Sequence, residues 1–101
     1  MARLSGKVVI ITGSSGGIGR AAALEFAKEG ADLVLQYRSR EAEAKAVADK
    51  ITALGRKAIT ARVDFTNVKQ SPGEVQGMVD EAIKQFGKVD ILLNLAGYPA
   101  R

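Results

Sequence analysis

The segment from Thr12 to Gly19, TGSSGGIG, combines residue types and a spacing that suit the binding of a phosphate group. An apolar run precedes it and an amphipathic run follows it, which predicts a turn from a strand into a helix. Gly13 permits a tight turn, Gly17 lets the backbone approach a pyrophosphate, and Gly19 lets the helix pack closely on the strand. The first N–H groups and the positive dipole end of such a helix favour an anion. We therefore favour a nucleotide site over the alternative of a flexible loop.

The spacing of the glycines excludes one kind of phosphate loop. A Walker-type loop counted from Gly13 would need a second glycine at position 18, followed by a lysine. The chain has Ile18 and Gly19 at these positions. The glycines follow the order G-x-x-x-G-x-G instead.

Composition narrows the possible functions further. The chain of 101 residues is 47% apolar, which suits one small domain with a single core. It has no cysteine and no histidine, so disulfides, cysteine metal sites and the commonest general base are excluded. The net charge is +4, but the fifteen lysines and arginines are scattered and are not interleaved with aromatic residues, which argues against a nucleic-acid partner. The apolar run at 8–11 is too short for a signal sequence or a membrane span, so we expect a cytoplasmic protein without a membrane partner.

The apolar patterning predicts seven elements that alternate between strand and helix. The expected strands cover residues 7–12, 32–37, 57–63 and 89–94, and the expected helices cover about 17–29, 40–54 and 71–86. Gly30, Gly55 and Gly87 are expected to end the helices. The pattern predicts an α/β fold, a Rossmann-type doubly wound parallel sheet truncated to about four strands in the order 3-2-1-4. Residues 1–101 would then form a single dinucleotide-binding domain.

Helix starts and helix faces can also be predicted. Ser39 is expected to be the N-cap of the second helix, and Ser71-Pro72-Gly73-Glu74 is typical of a capping box with proline at the first helical position. Each helix carries an apolar face at helical spacing. These faces consist of Ile18, Ala22 and Phe26 in the first helix, of Ala44, Val47, Ala48, Ile51 and Leu54 in the second, and of Val75, Met78, Val79, Ala82, Ile83 and Phe86 in the third.

The end of the second predicted strand indicates which dinucleotide is preferred. An NAD site of this kind places an acid there to bind the adenosine 2′-hydroxyl, but this chain has Tyr37 followed by Arg38, Ser39 and Arg40. A guanidinium can pair with a 2′-phosphate through two hydrogen bonds, whereas an acid would repel it. We predict that NADP(H) is preferred over NAD(H). Arg38 is the first candidate for the phosphate, with Ser39 assisting and Arg40 weaker; the alternative for Arg38 is a solvated turn residue.

Through Thr12, Gly13, Gly17 and Gly19 the chain matches T-G-x-x-x-G-x-G, and it resembles the classical short-chain dehydrogenase/reductase family. The resemblance extends along essentially the whole chain. It implies a cofactor-binding turn that includes Ser14, Ser15 and Ile18 together with the four motif residues. Gly16 stands where NADP-preferring members can carry a basic residue, so the resemblance leaves the recognition of the 2′-phosphate to Arg38.

Two later motifs carry the same resemblance. Asp64 and Phe65 stand where the family has Asp-Val, which implies that the Asp64 carboxylate and the next backbone N–H hold the adenine. Without the resemblance, Asp64 would instead be interpreted as a loop or cap carboxylate. The segment 94–97 matches the family's N-N-A-G through Asn94, Ala96 and Gly97, which implies backbone close to the ribose. Leu95 replaces the second asparagine of that motif, and the link over 65–71 is longer than is usual in the family.

The resemblance implies an oxidoreductase that moves hydride between NADP(H) and a carbonyl or alcohol, most like the 3-oxoacyl-carrier-protein reductases. The family's catalytic serine and Tyr-x-x-x-Lys cannot be identified here, because Tyr37 is followed four positions later by Glu41 and Tyr98 would need a lysine at position 102. Three interpretations stay open: the N-terminal part of a longer enzyme, a nucleotide-binding module without catalysis, and a scaffold. The open edge of the fourth strand also predicts either a homo-oligomer that pairs through this edge or a partly unstable domain.

Overall fold

Strands and helices alternate along the chain in the predicted sequence of elements. The computed structural model describes residues 3–13, 16–67 and 69–95. The strands are β1 (Val8–Thr12), β2 (Asp32–Tyr37), β3 (Ala58–Arg62) and β4 (Ile91–Asn94), and the helices are α1 (Gly17–Lys28), α2 (Glu41–Ala53) and α3 (Ser71–Phe86). The strands form one parallel sheet in the order β3-β2-β1-β4. The predicted α/β fold class and strand order are thereby confirmed.

The register of the sheet determines which strand ends lie side by side. Thr12 at the end of β1 is paired with Asn94 at the end of β4. On the other side of β1, Ile11 is paired with Leu35 of β2. The carboxyl ends of the parallel strands therefore meet at one edge of the sheet. The order of the strands reverses at β1, and this is where parallel α/β sheets bind their ligands.

The core has two parts, one on each face of the sheet. The larger part joins α1 and α2 to alternate residues of β1 and β2, among them Ile11 and Leu35. The smaller part joins α3 to the intervening residues Ile10 and Val34. All five residues of β1 are buried, as expected for a central parallel strand whose β-branched side chains are covered on both faces.

The predicted apolar face of α1 is confirmed only in part: Ala22 and Phe26 pack against the core and are partly buried, but the most buried positions lie one residue further along the helix. Gly19, Ala23 and Ala27 are its buried residues, whereas Ile18 is 66% exposed. Small side chains let the helix approach the sheet closely, so they occupy the face that a ranking by hydrophobicity assigns to larger residues. Gly19, the last glycine of the turn, is thus among the buried residues of the helix.

The other two helices bury most of the predicted faces fully or in part, since Ala48, Val75, Val79 and Phe86 are partly buried against the core. Ala44, Val47 and Ile51 are buried in α2, and Met78 and Ala82 are buried in α3. The outer members of each face are more exposed than predicted, since Leu54 and Ile83 lie about half in solvent.

The helix ends are confirmed by their glycines, but the predicted N-caps are wrong. Gly30, Gly55 and Gly87 have positive φ immediately after the three helices. The N-cap of α2 is Arg40 and not Ser39, and its side chain makes no capping hydrogen bond. The N-cap of α3 is Gln70, so Ser71 lies inside the helix and no capping box forms. The Glu74 carboxylate, which a capping box would require, is used in a tertiary contact instead.

Candidate functional site

The glycine-rich turn leaves β1 and enters α1 at the carboxyl edge of the sheet. Gly13 has φ +73°, a left-handed conformation that disfavours any side chain. The backbone N–H of Gly16 donates to the carbonyl of Gly13 at 3.3 Å, which closes the turn. Gly16 is the N-cap of α1 and has no side chain with which to cap it. Among the residues that the structure describes, no side chain caps the positive end of α1. Ser14 and Ser15 lie outside the described residues.

An open cleft of about 200 Å³ lies over this turn. It is lined by Gly13, Gly16, Gly17, Ile18, Gly19 and Leu95. A Cβ atom placed on Gly17 would meet no other atom within 4 Å, so the space above its backbone is open. Sites for complete small ligands usually measure about 300–1,000 Å³. The cleft is therefore sized for a portion of a dinucleotide, and its position at a helix N-terminus suits the pyrophosphate.

Thr12 connects the two strands that flank this cleft. Its hydroxyl donates to Asn94 Oδ1 at 2.7 Å and accepts from the backbone N–H of Leu95 at 2.9 Å. The side chain is 3% exposed. The structure thus brings Thr12 and Asn94 together as predicted site residues, in a contact between β1 and β4. Leu95, which departs from the sequence motif, takes part through its backbone, so this contact does not need an asparagine at position 95.

Gln36 is a site residue that sequence reasoning missed. Its amide oxygen accepts from the backbone N–H of Gly13 at 2.6 Å, and its amide nitrogen donates to the Val63 carbonyl at 2.7 Å. The sequence does contain a signal for it. Gln36 is a single amide side chain in a central strand, between the apolar residues 33–35 and Tyr37. A polar side chain in such a place needs hydrogen-bond partners, and here they are the ends of the two neighbouring strands.

The ends of β2 and β3 form a second part of the site. Arg38 and Ser39 are exposed directly after β2. Asp64 Oδ1 accepts hydrogen bonds from the Thr66 hydroxyl at 2.6 Å and from the Thr66 backbone N–H at 3.0 Å. These bonds, together with the charges of Arg38 and Arg62, hold the pKa of the Asp64 carboxyl below its usual value. Asp64 is therefore ionised at neutral pH and lies within the field of two arginines.

Glu74 fixes the backbone at Asp64. Its Oε1 atom accepts from the Asp64 backbone N–H at 2.9 Å, and its Oε2 atom lies 3.4 Å from Arg62 Nη1. The link from β3 to α3 is further organised by Asn67, whose Oδ1 accepts from the backbone N–H groups of Lys69 and Gln70. Phe65 lies 40% exposed at the start of this link. Ala96 and Gly97 lie outside the described residues.

The part of the chain that the structure describes holds no group of three or more acidic side chains that could bind a metal ion. Among the same residues, no helix is long and apolar enough to cross a membrane.

The sequence of the chain is similar to a known family, and this similarity agrees with the fold, the order of the strands and the helix after the glycine-rich turn. Residues 7–101 match the family described as short chain dehydrogenase. The chain belongs to this family. Its members are oxidoreductases, and the family binds a dinucleotide cofactor.

Individual relatives agree along almost the whole chain. An oxidoreductase of Methylorubrum extorquens is 44% identical over 97 residues, which are 96% of this chain and 38% of that protein. An L-rhamnose 1-dehydrogenase (NAD(P)(+)) of a Sphingomonas species is 40% identical over 97 residues, or 96% of this chain and 37% of that protein. The crystal structure of a short chain dehydrogenase from Burkholderia cenocepacia in complex with NADP aligns with a TM-score of 0.80 and 41% identity, covering 89% of this chain and 35% of that one.

The chain spans little more than a third of the length of these relatives. The shared part carries the glycine-rich turn and the first four strands.

Proposed function

We propose that this chain is the NADP(H)-binding part of a short-chain dehydrogenase that moves hydride between the cofactor and a carbonyl or alcohol substrate. The observation that carries the proposal is the N-terminus of α1, which no side chain of the described residues caps and which opens onto a cleft lined by Gly13, Gly16 and Gly17. Unpaired helical N–H groups beside glycine backbone are the elements that bind a pyrophosphate.

Each predicted residue has a role in this proposal. In this proposal Gly13, Ser14, Ser15, Gly17, Ile18 and Gly19 hold the pyrophosphate, and Asn94, Ala96 and Gly97 are assigned to the ribose side. Thr12 contacts Asn94 at the start of that second segment. Asp64 and the backbone N–H of Phe65 hold the adenine. The bound cofactor supplies or accepts the hydride. The residues of this chain bind and orient it.

A preference for NADP(H) over NAD(H) is supported by charge at the end of β2. Arg38 follows that strand where an NAD site has an acid, and its positive charge acts on the neighbouring Asp64 carboxylate. Arg62 adds a second positive charge at the end of β3. The two guanidinium groups thus bring positive charge to the neighbouring ends of β2 and β3, and a 2′-phosphate would bind guanidinium through strong charge-assisted hydrogen bonds.

Titration calorimetry of the chain with NADPH and with NADH tests the proposal. Arg38→Asp is expected to weaken NADPH binding about 10- to 100-fold, because charge-assisted hydrogen bonds contribute about 1.5–3 kcal/mol, and to change NADH binding less than about twofold. Lys84→Asp, which makes the same charge change in the last turn of α3, is the control and is expected to leave both affinities unchanged. Equal losses for both cofactors in Arg38→Asp would contradict the preference, and no binding by the wild-type chain would contradict the proposed function.

The substrate side of the reaction belongs to the same proposal. The phrases ADLVLQYRSRE and FGKVDILLN favour a 3-oxoacyl-carrier-protein reductase or a related carbonyl reductase. The proposal assigns the catalytic serine and Tyr-x-x-x-Lys to a segment outside these 101 residues. The intact mass of the protein from its natural source tests this: a mass well above 10.6 kDa is expected. A mass equal to that of the chain would favour a nucleotide-binding module without catalysis.

We also propose that the chain self-associates through the edge of β4. Within the described residues β4 pairs with β1 alone, and Leu92 in its middle is 61% exposed. Exposed strand edges pair with other chains. Sedimentation velocity is expected to show a dimer that Leu92→Lys shifts towards monomer, while Leu54→Lys at another exposed leucine leaves it intact. A monodisperse wild-type monomer would contradict this proposal.

A further inference from the structure

Gln36 connects the ends of three strands through one side chain. It lies in β2 and is 2% exposed. Gly13, whose N–H it accepts at 2.6 Å, follows β1, and Val63, to whose carbonyl it donates at 2.7 Å, follows β3. These partners are 23 and 27 residues away in sequence. The contacts therefore hold together parts of the chain that meet only in the folded sheet.

The two backbone partners require a particular kind of side chain. Gly13 offers a donor and Val63 offers an acceptor, so the bridging group must accept at one atom and donate at the next. A neutral amide does this, whereas a carboxylate has no proton for the Val63 carbonyl and an apolar side chain leaves both groups without this partner. Asparagine carries the same amide on a side chain that is shorter by one methylene group. Glutamine therefore meets both the chemical and the steric requirement.

From these contacts we infer that Gln36 is a positioning residue for the cofactor-binding turn. It orients the peptide group between Thr12 and Gly13 by accepting the N–H of Gly13, the residue whose φ of +73° redirects the chain towards α1. The same amide holds the carbonyl of Val63, which directly precedes Asp64. One buried side chain thus sets the relative position of the pyrophosphate turn and the adenine side. Gln36 acts through this backbone and not by contact with the cofactor.

This role predicts a pattern that differs from that of Arg38. The inference rests on the proposed function, because part of its test measures cofactor binding. A misplaced glycine turn affects the pyrophosphate, which NADPH and NADH share, so loss of the Gln36 amide is expected to weaken both cofactors by the same factor. Loss of Arg38 is expected to weaken NADPH alone.

The test compares Gln36→Met, which keeps the approximate shape without the amide, with Val34→Ala on the same strand. Val34 is fully buried and two residues from Gln36, so its truncation destabilises the same sheet without touching the turn. Urea unfolding gives the stability of each variant, and calorimetry gives the affinity for NADPH and NADH, corrected for the folded fraction. Amide hydrogen exchange of Gly13, measured by NMR without cofactor, reports directly on the bond to Gln36.

In Gln36→Met we expect about tenfold weaker binding of both cofactors and exchange at Gly13 that is faster than its loss of stability explains. In Val34→Ala we expect wild-type affinities and an exchange rate at Gly13 that rises no more than its loss of stability explains. If Gln36→Met does not fold, the wild-type chain still provides a test, because slow exchange at Gly13 is expected there. Wild-type exchange as fast as in an unstructured peptide would overturn the inference. So would unchanged affinities in folded Gln36→Met, or a loss confined to NADPH. A wild-type chain that binds neither cofactor would overturn the proposed function and, with it, the positioning role.

Discussion

The two ends of the parallel sheet are tied together by different chemistry. At the amino end, aspartates accept backbone hydrogen bonds: Asp90 Oδ2 from Val8 N at 2.9 Å and Asp32 Oδ1 from Lys57 N at 3.0 Å. At the carboxyl end the same task is performed by neutral side chains, in the contacts of Thr12 with Asn94 and of Gln36 with Gly13. Both ends need such bonds, because the terminal backbone groups of a strand lack ladder partners.

The difference between the ends matches the charge of the expected ligand. Carboxylates beside a pyrophosphate would repel it, and here they stand at the opposite end of the strands. Two carboxylates are exceptions at the carboxyl end, and both lie at β3: Glu74 accepts from the Asp64 backbone N–H, and the Asp64 carboxylate accepts from Thr66 and lies in the field of Arg38 and Arg62. The ends of β1, β2 and β4, which lie nearest the cleft, are held together by neutral side chains.

Loss of the neutral contact at the carboxyl end should have the largest effect. Thr12→Val keeps the shape but removes the hydroxyl that serves Asn94 and the Leu95 N–H, so we expect a loss of about 1–3 kcal/mol in the free energy of unfolding and weaker dinucleotide binding. Urea unfolding and calorimetry measure the two effects. Thr60→Val makes the same change within β3 and should stay within about 0.5 kcal/mol of the wild type. Equal costs for the two variants would remove the special role of Thr12.

A smaller effect is expected when a carboxylate is placed at the carboxyl end. Asn94→Asp can still accept from Thr12, but its charge should weaken NADPH binding about two- to tenfold, because unit charges about 4 Å apart in water interact with about 1 kcal/mol. The opposite change at the other end, Asp90→Asn, is the matched control and should leave the affinity unchanged. Similar affinities for Asn94→Asp and the wild type at low ionic strength would argue against an anion site beside β1 and β4.

The smallest effect concerns the dependence of stability on pH. The hydrogen bond from the Val8 N–H and the neighbouring Lys88 lower the pKa of the Asp90 carboxyl from its ordinary value of 3.8. The unfolded chain therefore binds the proton more tightly, so this contribution to stability is present above about pH 4 and is lost as the pH falls through the lower pKa of the folded state. Asp64 should contribute with the same sign.

Urea unfolding between pH 7 and pH 3 measures this dependence. Asp90→Asn should show a shallower fall in stability below pH 4 than the wild type, because its amide does not titrate. Asp49→Asn, at an exposed position of α2, is the control. The explanation would be wrong if the two variants lost stability along the same curve.

Local signals in the sequence were sufficient for the elements and their order. The β-branched run that forms β1, the glycines after each helix and the alternation of strand and helix each depend on neighbouring residues, and parallel α/β units connect in few ways. The glycine-rich turn could be recognised for the same reason. Its position at the carboxyl edge follows once β1 is central.

Contacts between distant residues could not be predicted in the same way. The sequence pattern of Ser71 to Glu74 suits a capping box, but the Glu74 carboxylate accepts from the Asp64 backbone, which competes for it across the loop. Ile18 is the most hydrophobic residue at the start of α1, yet Gly19 is buried because the helix lies close to the sheet. In both cases a tertiary contact outweighs a local preference.

By itself, the sequence determined the order of strands and helices, the glycine turn and the absence of an acid after β2, because each depends on residue type and short-range spacing. Only the tertiary structure decided that Gln36 joins Gly13 to Val63 and that Thr12 contacts both Asn94 and Leu95. These partners lie 23 to 83 residues apart. They become neighbours when the strands pair in register, and buried polar groups must then find partners across the sheet.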